Sequence, residues 1–318
     1  MDEQTAFVLA LQILALFSIA GALLLYLICK IQKTDSVTLE NIPGASKPIL
    51  VTCADNAIGL QISIHLANRG FRVFSGLKEG AGTGSSEDSV AARVIRSWQK
   101  NRESQNGIVR GSIVALPLDV NREDLIHEAA DIIRAHLPAG EDGLWAVINT
   151  TGLIYRGRLD QQDISHWEAM FKTNLVGVLR TSRAFQGLLR NTSGRIITIG
   201  PEECTDGGFV AYAATRYAVL GATDALRKEL APTGIKVISL EPKGFHTEDL
   251  YVIPKPRKNS EQTEISVDIN GCLEYYPKAL PSYSLQILDV CLTTRNPKPS
   301  YSLAYKYHWL KTLQSITV

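Results

Sequence analysis

The segment TCADNAIG, residues 52–59, carries the small and polar residues that a phosphate-binding turn requires. It follows an apolar stretch, and Ile58, Ile62 and Leu66 recur at four-residue intervals, as on one face of a helix. A strand–turn–helix unit of this kind brings backbone N–H groups and the positive end of the helix dipole towards a pyrophosphate. An ordinary strand–helix turn would explain the segment about as well, because Gly59 is its only glycine.

The elements around this turn follow an alternating pattern from residue 47 onward. Short β-branched stretches alternate with segments of helical periodicity, which is typical of a parallel sheet covered by helices on both faces. The predicted strands cover residues 48–52, 71–74, 113–118, 144–149, 195–199 and 235–240. Because ligands bind at the carboxyl ends of the strands in such folds, the turn is expected at the ligand-binding edge of a single domain, residues 47–318.

The amino-terminal region differs in composition from the rest of the chain. Residues 6–29 are 24 residues without a charge, long enough to cross a hydrocarbon core of about 30 Å. We predict a transmembrane helix over 6–29, preceded by a short tail over 1–5 and followed by a linker over 30–46. Lys30 and Lys33 follow the apolar stretch, which places the domain on the cytosolic side of a single-pass anchor.

Composition excludes several classes of function. The formal net charge of +1 gives no electrostatic reason to expect a nucleic-acid partner. The five cysteines are odd in number and scattered, with no CxxC or Cys/His spacing. Neither a disulfide framework nor a metal site is therefore predicted.

Further motifs occur in a fixed order along the soluble part. They are LDV at 118–120, GLWAVINTTG at 143–152, FKTNLVG at 171–177, GRII at 194–197, YAATR at 212–216 and EPKGFHT at 241–247. Together with the turn at 52–59, the series resembles the short-chain dehydrogenase/reductase family. Within it, the series is most similar to the branch of retinol, 17β-hydroxysteroid and 3-hydroxybutyrate dehydrogenases. Cys53 and Ala57 stand where the family's turn has glycine.

The resemblance implies an α/β fold of Rossmann type, with a doubly wound parallel sheet, that binds NAD or NADP. The residues expected at the cofactor are Thr52, Asp55, Ala57, Ile58, Gly59, Lys78, Asp119, Val120, Asn149, Gly152, Tyr212, Arg216, Pro242 and Thr247. A carboxylate at the end of the second strand would select NAD, and a basic residue the 2′-phosphate of NADP. Lys78 favours NADP, whereas the resembling branch is largely linked to NAD, so both remain open.

The resemblance also implies hydride transfer with Tyr212 as general acid/base. Asn174 matches an asparagine of the family's catalytic tetrad, and Arg216 stands where the family has a lysine. Arginine holds a positive charge beside the tyrosine but cannot pass a proton at accessible pH. The position of the family's catalytic serine falls on Gly200 or Pro201, neither of which has a hydroxyl group.

These departures leave two main interpretations. In one, the chain is a divergent oxidoreductase that interconverts an alcohol and a ketone or aldehyde on a lipophilic substrate, of steroid or retinoid class by resemblance. In the other, it is a catalytically impaired pseudoenzyme that acts as a membrane-tethered binding protein; a tethered scaffold that binds no nucleotide is a third possibility. The predicted location is the endoplasmic reticulum membrane. A homodimer formed through helices near 171–189 and 211–230 is a further expectation from the resemblance.

Overall fold

The computed structural model describes residues 12–24, 26, 47–78, 89–104, 111–201, 207–257 and 273–304. The chain divides into two compact units, Met1–Pro43 and Gly44–Val318. In the first unit, residues 12–24 are helical. No helix in the described part of the chain is both long enough and apolar enough to cross a bilayer. The tail over 1–5, the linker over 30–46 and several residues of the anchor over 6–29 lie outside the described residues, so these segments stay predictions.

The second unit is built on a seven-stranded sheet in which every paired neighbour is parallel. Its strands are β1 (Pro48–Val51), β2 (Arg72–Leu77), β3 (Ser112–Pro117), β4 (Ala146–Asn149), β5 (Arg195–Ile199), β6 (Lys236–Pro242) and β9 (Ser300–Leu303). The order β3-β2-β1-β4-β5-β6-β9 reverses between β1 and β4. A crevice at such a reversal is where doubly wound sheets bind dinucleotides.

Six strands confirm the sequence prediction to within a few residues, and one was missed. Every residue of β1, β4 and β5 is buried, and these strands appear in the sequence as largely apolar runs, interrupted by Asn149 in β4 and by Arg195 and Thr198 in β5. Strand β9 has the sequence SYSL at one edge of the sheet, and only its last residue is buried. A short polar edge strand has neither an apolar run nor a clear alternation to identify it.

Helices cover both faces of the sheet. They are α1 (Ala57–Asn68), α2 (Val90–Ser104), α3 (Glu123–Ala135), α4 (Ile164–Phe171), α5 (Gly177–Asn191), α6 (Val210–Leu230), α7 (Thr247–Tyr251) and α8 (Ser282–Thr293). A π-helical turn, Lys172–Val176, joins α4 to α5, and a two-stranded ribbon pairs β7 (Lys255–Pro256) with β8 (Tyr275–Tyr276). On one face, apolar residues of α3 and α5 pack against β1, β4 and β5, with Leu50, Val147 and Ile196 at the centre of the cluster.

On the other face, a buried carboxylate joins α1 to α8. Asp289 of α8 is 3 % exposed and lies 2.9 Å from the His65 Nε2. Its second oxygen accepts from Arg69 Nε at 3.0 Å and lies 2.9 Å from Arg69 Nη2. A buried carboxylate requires such partners because desolvation of an isolated charge is costly. The contact fixes α1, the helix that begins at the turn over residues 52–59.

Asp289→Ala is expected to lower the free energy of unfolding by about 1–3 kcal/mol, because it leaves Arg69 without its carboxylate at a partly buried position. Urea unfolding followed by circular dichroism measures the change. The matched control is Asp131→Ala, which removes an exposed ion pair with Arg134 inside α3 and should leave the midpoint unchanged. Equal effects of the two substitutions would show that the α1–α8 contact does not stabilise the fold.

Candidate active site

The turn after β1 keeps its compact shape although two of its expected glycines are absent. A Cβ placed on Gly59 would lie 1.7 Å from the Cys53 carbonyl oxygen, so no other residue fits at this position. Thr150 Oγ1 donates to that same oxygen at 2.8 Å, and the Cys53 amide donates to Thr150 Oγ1 at 3.2 Å. The position of the turn that tolerates no side chain is therefore 59, where the sequence retains glycine. The side chains of Cys53 and Ala57 do not prevent the turn from forming.

The first amides of α1 are hydrogen-bonded within the chain. Asn56 caps the helix, and its Oδ1 accepts from the Gly59 amide at 2.8 Å. The Ala57 amide donates to the Val252 carbonyl at 2.9 Å. Because Val252 lies far along the chain, just after α7, this contact closes the helix terminus with a distant segment.

A cavity of about 510 Å³ opens at the carboxyl ends of β1 to β4. Thr52, Asp55, Lys78, Asp119, Val120 and Gly152, all predicted cofactor residues, are part of its lining. The Asp55 carboxylate accepts a hydrogen bond from the Lys78 amide, which fixes the turn to the end of β2. The Lys78 ammonium is 61 % exposed and lies 3.9 Å from the Asp119 carboxylate, so a cation and an anion flank this end of the cavity.

The other predicted site residues do not line this cavity. They are Ala57, Ile58, Gly59, Asn149, Asn174, Tyr212, Arg216, Pro242 and Thr247, and all of them are buried. Asn149 Oδ1 accepts from Thr181 Oγ1 at 2.9 Å, which fixes β4 to α5. Thr247 is the first residue of α7, and Pro242 is the last residue of β6.

Asn174 lies in the π-helical turn between α4 and α5 and is fully buried. Its Oδ1 accepts from the Leu153 amide at 2.7 Å, and its Nδ2 donates to the Leu153 carbonyl at 2.9 Å. The same Nδ2 donates to Thr215 Oγ1 of α6 at 3.1 Å. Asn174 thus connects the loop after β4 with the helix that carries Tyr212. Single π-helical turns occur frequently at functional sites.

Arg216 is 1 % exposed, and the acceptors of its hydrogen bonds lie in several different segments. Its guanidinium donates to the carbonyls of Ile199 and Gly200 after β5, and, over 3.5 Å, to that of Thr151 after β4. It also donates to the Tyr251 hydroxyl at 2.8 Å. The charge is therefore stabilised by main-chain oxygens and one phenol.

Tyr212 is also fully buried. Its ring packs edge-on against Tyr251 of α7 at a centroid distance of 6.4 Å and against Phe209 at 6.3 Å. The guanidinium carbon of Arg216 lies 5.9 Å from the Tyr212 ring centroid. The predicted proximity of Tyr212 and Arg216 is present, but α7 covers the tyrosine.

Tyr251 is the residue of this region that sequence reasoning missed. A Cβ on Gly152 would lie 2.2 Å from two carbons of the Tyr251 ring, so the ring packs directly on this glycine. No motif identifies Tyr251, although it lies four residues after Thr247, the position expected to contact the nicotinamide.

Gly200 is one of the two positions expected for the catalytic serine, and it has no space for a side chain. A Cβ on Gly200 would lie 2.6 Å from Ser239 Oγ of the neighbouring strand β6. The buried Ser239 hydroxyl therefore occupies the space that a side chain at 200 would need.

Comparison with known proteins identifies the family. Residues 47–255 match the family described as short chain dehydrogenase. The chain belongs to this family. Bovine mitochondrial D-beta-hydroxybutyrate dehydrogenase is 29% identical over 208 residues, 64% of this chain and 55% of that protein. Mouse estradiol 17-beta-dehydrogenase 2 is 30% identical over 243 residues, 74% of this chain and 55% of that protein.

The chain spans about half the length of the curated relatives that it matches. Among solved structures, a gluconate 5-dehydrogenase from Burkholderia cenocepacia in complex with NADP and tartrate superposes with a TM-score of 0.53 at 23% identity, over 66% of this chain and 76% of that one. The likeness supports the fold. The hydroxybutyrate and steroid dehydrogenase relatives confirm the branch that the motifs indicated.

Cys53, which replaces a family glycine, is predicted to be chemically inert in this short-chain dehydrogenase. Burial raises the pKa of the Cys53 thiol to about 12, and the negative charge of Asp55 adds to the effect. Because only the thiolate reacts, iodoacetamide at about pH 8 should alkylate native Cys53 at least about a hundredfold more slowly than the urea-unfolded chain. The native rate should rise only as the pH approaches that raised pKa. Peptide mass spectrometry measures both rates, and equal rates would contradict the raised pKa of this thiol.

Proposed function

We propose that the chain is a membrane-bound NAD(P)-dependent oxidoreductase that interconverts an alcohol and a ketone or aldehyde on a lipophilic substrate. The observation that carries the proposal is the arrangement of Tyr212 and Arg216 on α6 next to the ends of β4 and β5, with Asn174 linking α6 to the loop after β4. This arrangement lies beside a cavity at the reversal of strand order. Hydride-transfer chemistry with a tyrosine acid/base needs such a tyrosine beside a cation, and it needs the tyrosine to reach the substrate once α7 moves.

The described residues fit one half of a nicotinamide dinucleotide. Lys78, Asp119 and Val120 line the cavity at the ends of β2 and β3, where the adenosine half of a dinucleotide binds in this fold. The half beside β4, β5 and β6 does not fit as it stands, because the Tyr251 ring packs on Gly152 and its hydroxyl accepts from Arg216. When bound, NAD(P) supplies the hydride acceptor or donor.

The roles of the chain's own residues follow from their contacts. Tyr212 would hold the transferable proton on its Oη. Arg216 would favour the phenolate by its charge, since it cannot relay a proton. Asn174 acts as a positioning residue, because its amide is bonded to Leu153 and Thr215.

The substrate class is inferred from the cavity and the relatives. Leu153, Ile154, Val252 and Ile253 contribute apolar surface to the cavity. The names of the relatives indicate hydroxybutyrate and estradiol. A steroid or retinoid alcohol is the preferred class, because the apolar stretch over 6–29 would hold the domain beside a bilayer in which such molecules dissolve. We place this anchor in the endoplasmic reticulum membrane with the domain in the cytosol.

A homodimer is part of the proposal. Phe171, Val176, Leu179 and Val210 are large apolar residues at or beside α4, α5 and α6, and each is exposed. Apolar surface on these helices suits contact with a second copy of the chain.

One set of observations favours a second candidate, a catalytically impaired binding protein of the same fold. Tyr212 and Arg216 are both buried, and Ser239 fills the space at Gly200. In that case nucleotide binding would persist without turnover.

Titration of the full-length chain in detergent micelles with NADPH and NADH tests the cofactor site, with nicotinamide fluorescence as the signal. Lys78→Glu should weaken NADPH binding at least about tenfold and leave NADH within about threefold, because an anion would replace the cation beside a 2′-phosphate. Lys278→Glu, an exposed charge beside β8, is the matched control and should change neither. Absence of saturable binding by either dinucleotide at several millimolar would contradict the proposed function.

Tyr212→Phe should lower the rate of NAD(P)-dependent oxidation of estradiol by at least about a hundredfold, since it removes the acid/base hydroxyl. Its dinucleotide affinity should stay within about twofold of the original chain. Tyr217→Phe changes an exposed tyrosine of the same helix and should retain full activity. Dinucleotide binding without turnover of estradiol, retinol or 3-hydroxybutyrate would support the impaired binding protein instead.

A further inference from the structure

One short segment, residues 247–253, covers the crevice from the side of β6. It contains the five-residue helix α7 and the two residues that follow it, and we refer to it as the cover segment. The segment contacts both halves of the crevice, one through Tyr251 and the other through Val252.

Tyr251 closes the half of the crevice formed by β4, β5 and β6. Its ring packs on Gly152, which follows β4, and leaves no room for even a methyl group there. Its hydroxyl accepts from an Nη of Arg216, and the Nη atoms also donate to the carbonyls of Thr151, Ile199 and Gly200 at the ends of β4 and β5. Tyr251 is only 8 % exposed, so it is embedded in this half of the crevice.

Val252 closes the boundary between the two halves. Its carbonyl accepts from the Ala57 amide at 2.9 Å. A free amide at that position, on the first turn of α1, would face an anionic group and add to the attraction of the helix dipole. In the observed conformation a neutral carbonyl oxygen takes the place of a phosphate oxygen.

The half of the crevice formed by β1, β2 and β3 remains open. The cavity of about 510 Å³ reaches Asp55, Lys78, Asp119 and Val120. It continues past Gly152, Leu153 and Ile154 after β4, where Tyr251, Val252 and Ile253 also line it. A volume of this size lies within the usual range for a small-molecule site. The mononucleotide half at β1 to β3 is therefore accessible, whereas Tyr251 covers the part of the other half that holds Tyr212 and Arg216.

We propose that the closed chain is a binding site for an adenine mononucleotide, and that Tyr251 is the gate that excludes the nicotinamide half of a dinucleotide. The phenol and the Val252 carbonyl occupy the hydrogen-bonding groups, Arg216 and the Ala57 amide, that a full dinucleotide would use. A dinucleotide binds only to the fraction of molecules in which the cover segment has moved away. Its apparent affinity falls in proportion to that fraction, whereas the affinity of a mononucleotide does not.

This inference rests on the proposed function, because it takes the crevice to be a dinucleotide site. The test measures AMP, NADH and NADPH binding to the full-length chain by isothermal titration calorimetry. Tyr251→Ala should tighten the binding of the preferred dinucleotide at least about tenfold and leave AMP within about twofold. Tyr251→Phe keeps the ring on Gly152 and loses only the bond to Arg216, so its gain should be smaller. Tyr276→Ala, an exposed tyrosine in β8, should change nothing.

Hydrogen exchange provides a measurement that is independent of nucleotide. Tyr251→Ala should speed exchange at the Ala57 amide and across residues 247–252 in the absence of ligand, because the cover segment loses its main contact. Tyr276→Ala should leave both unchanged, and thermal unfolding shows whether each variant is folded.

The outcomes separate the two proposals. If AMP binds every variant equally and Tyr251→Ala does not tighten dinucleotide binding, the gate is wrong while the dinucleotide site stands. Unchanged protection of the Ala57 amide in Tyr251→Ala would also overturn the gate. If neither AMP nor a dinucleotide binds any variant, the proposed function fails and the inference fails with it.

Discussion

The buried guanidinium of Arg216 is the interaction on which the arrangement of the site depends. A positive charge removed from water requires acceptors on all sides, and the chain supplies main-chain carbonyls after β4 and β5 together with the Tyr251 hydroxyl. These contacts hold α6, the ends of two strands and α7 in one cluster. Tyr212, one turn earlier on α6, is buried by the same cluster. The residue that replaces the family's lysine therefore organises the region structurally, whether or not it also assists proton transfer.

The turn over residues 52–59 shows how a motif can lose glycines and keep its geometry. Only Gly59 lies so close to the Cys53 carbonyl that a side chain is impossible. The threonines that follow β4 contribute hydroxyl groups to the turn: Thr150 bonds to Cys53, and Thr151 Oγ1 lies 3.2 Å from Thr52 Oγ1. Substitutions in one motif are thus accompanied by compensating polar contacts from another, which preserves the edge of the sheet where ligands bind.

One part of the crevice is open and another part is covered by protein. The part near Lys78 and Asp119 is open to solvent, whereas the part near Tyr212 and Arg216 is enclosed by α7. On the proposed function, this division separates nucleotide recognition from chemistry. The two can then respond differently to movement of one short segment, because the open half does not depend on the contacts that close the other.

The sequence alone determined the sheet, the family and the residues that lie close to one another along the chain. Continuous apolar strands such as β1, and pairs such as Tyr212 and Arg216 on one helix, follow from local sequence patterns. The missed strand β9 and the role of Tyr251 depend on contacts between residues far apart in sequence, for which no local pattern exists. Only the tertiary structure decided whether the predicted residues would face a cavity or be enclosed. A motif specifies which groups can meet, but their exposure depends on what the rest of the chain packs over them, and here that is α7.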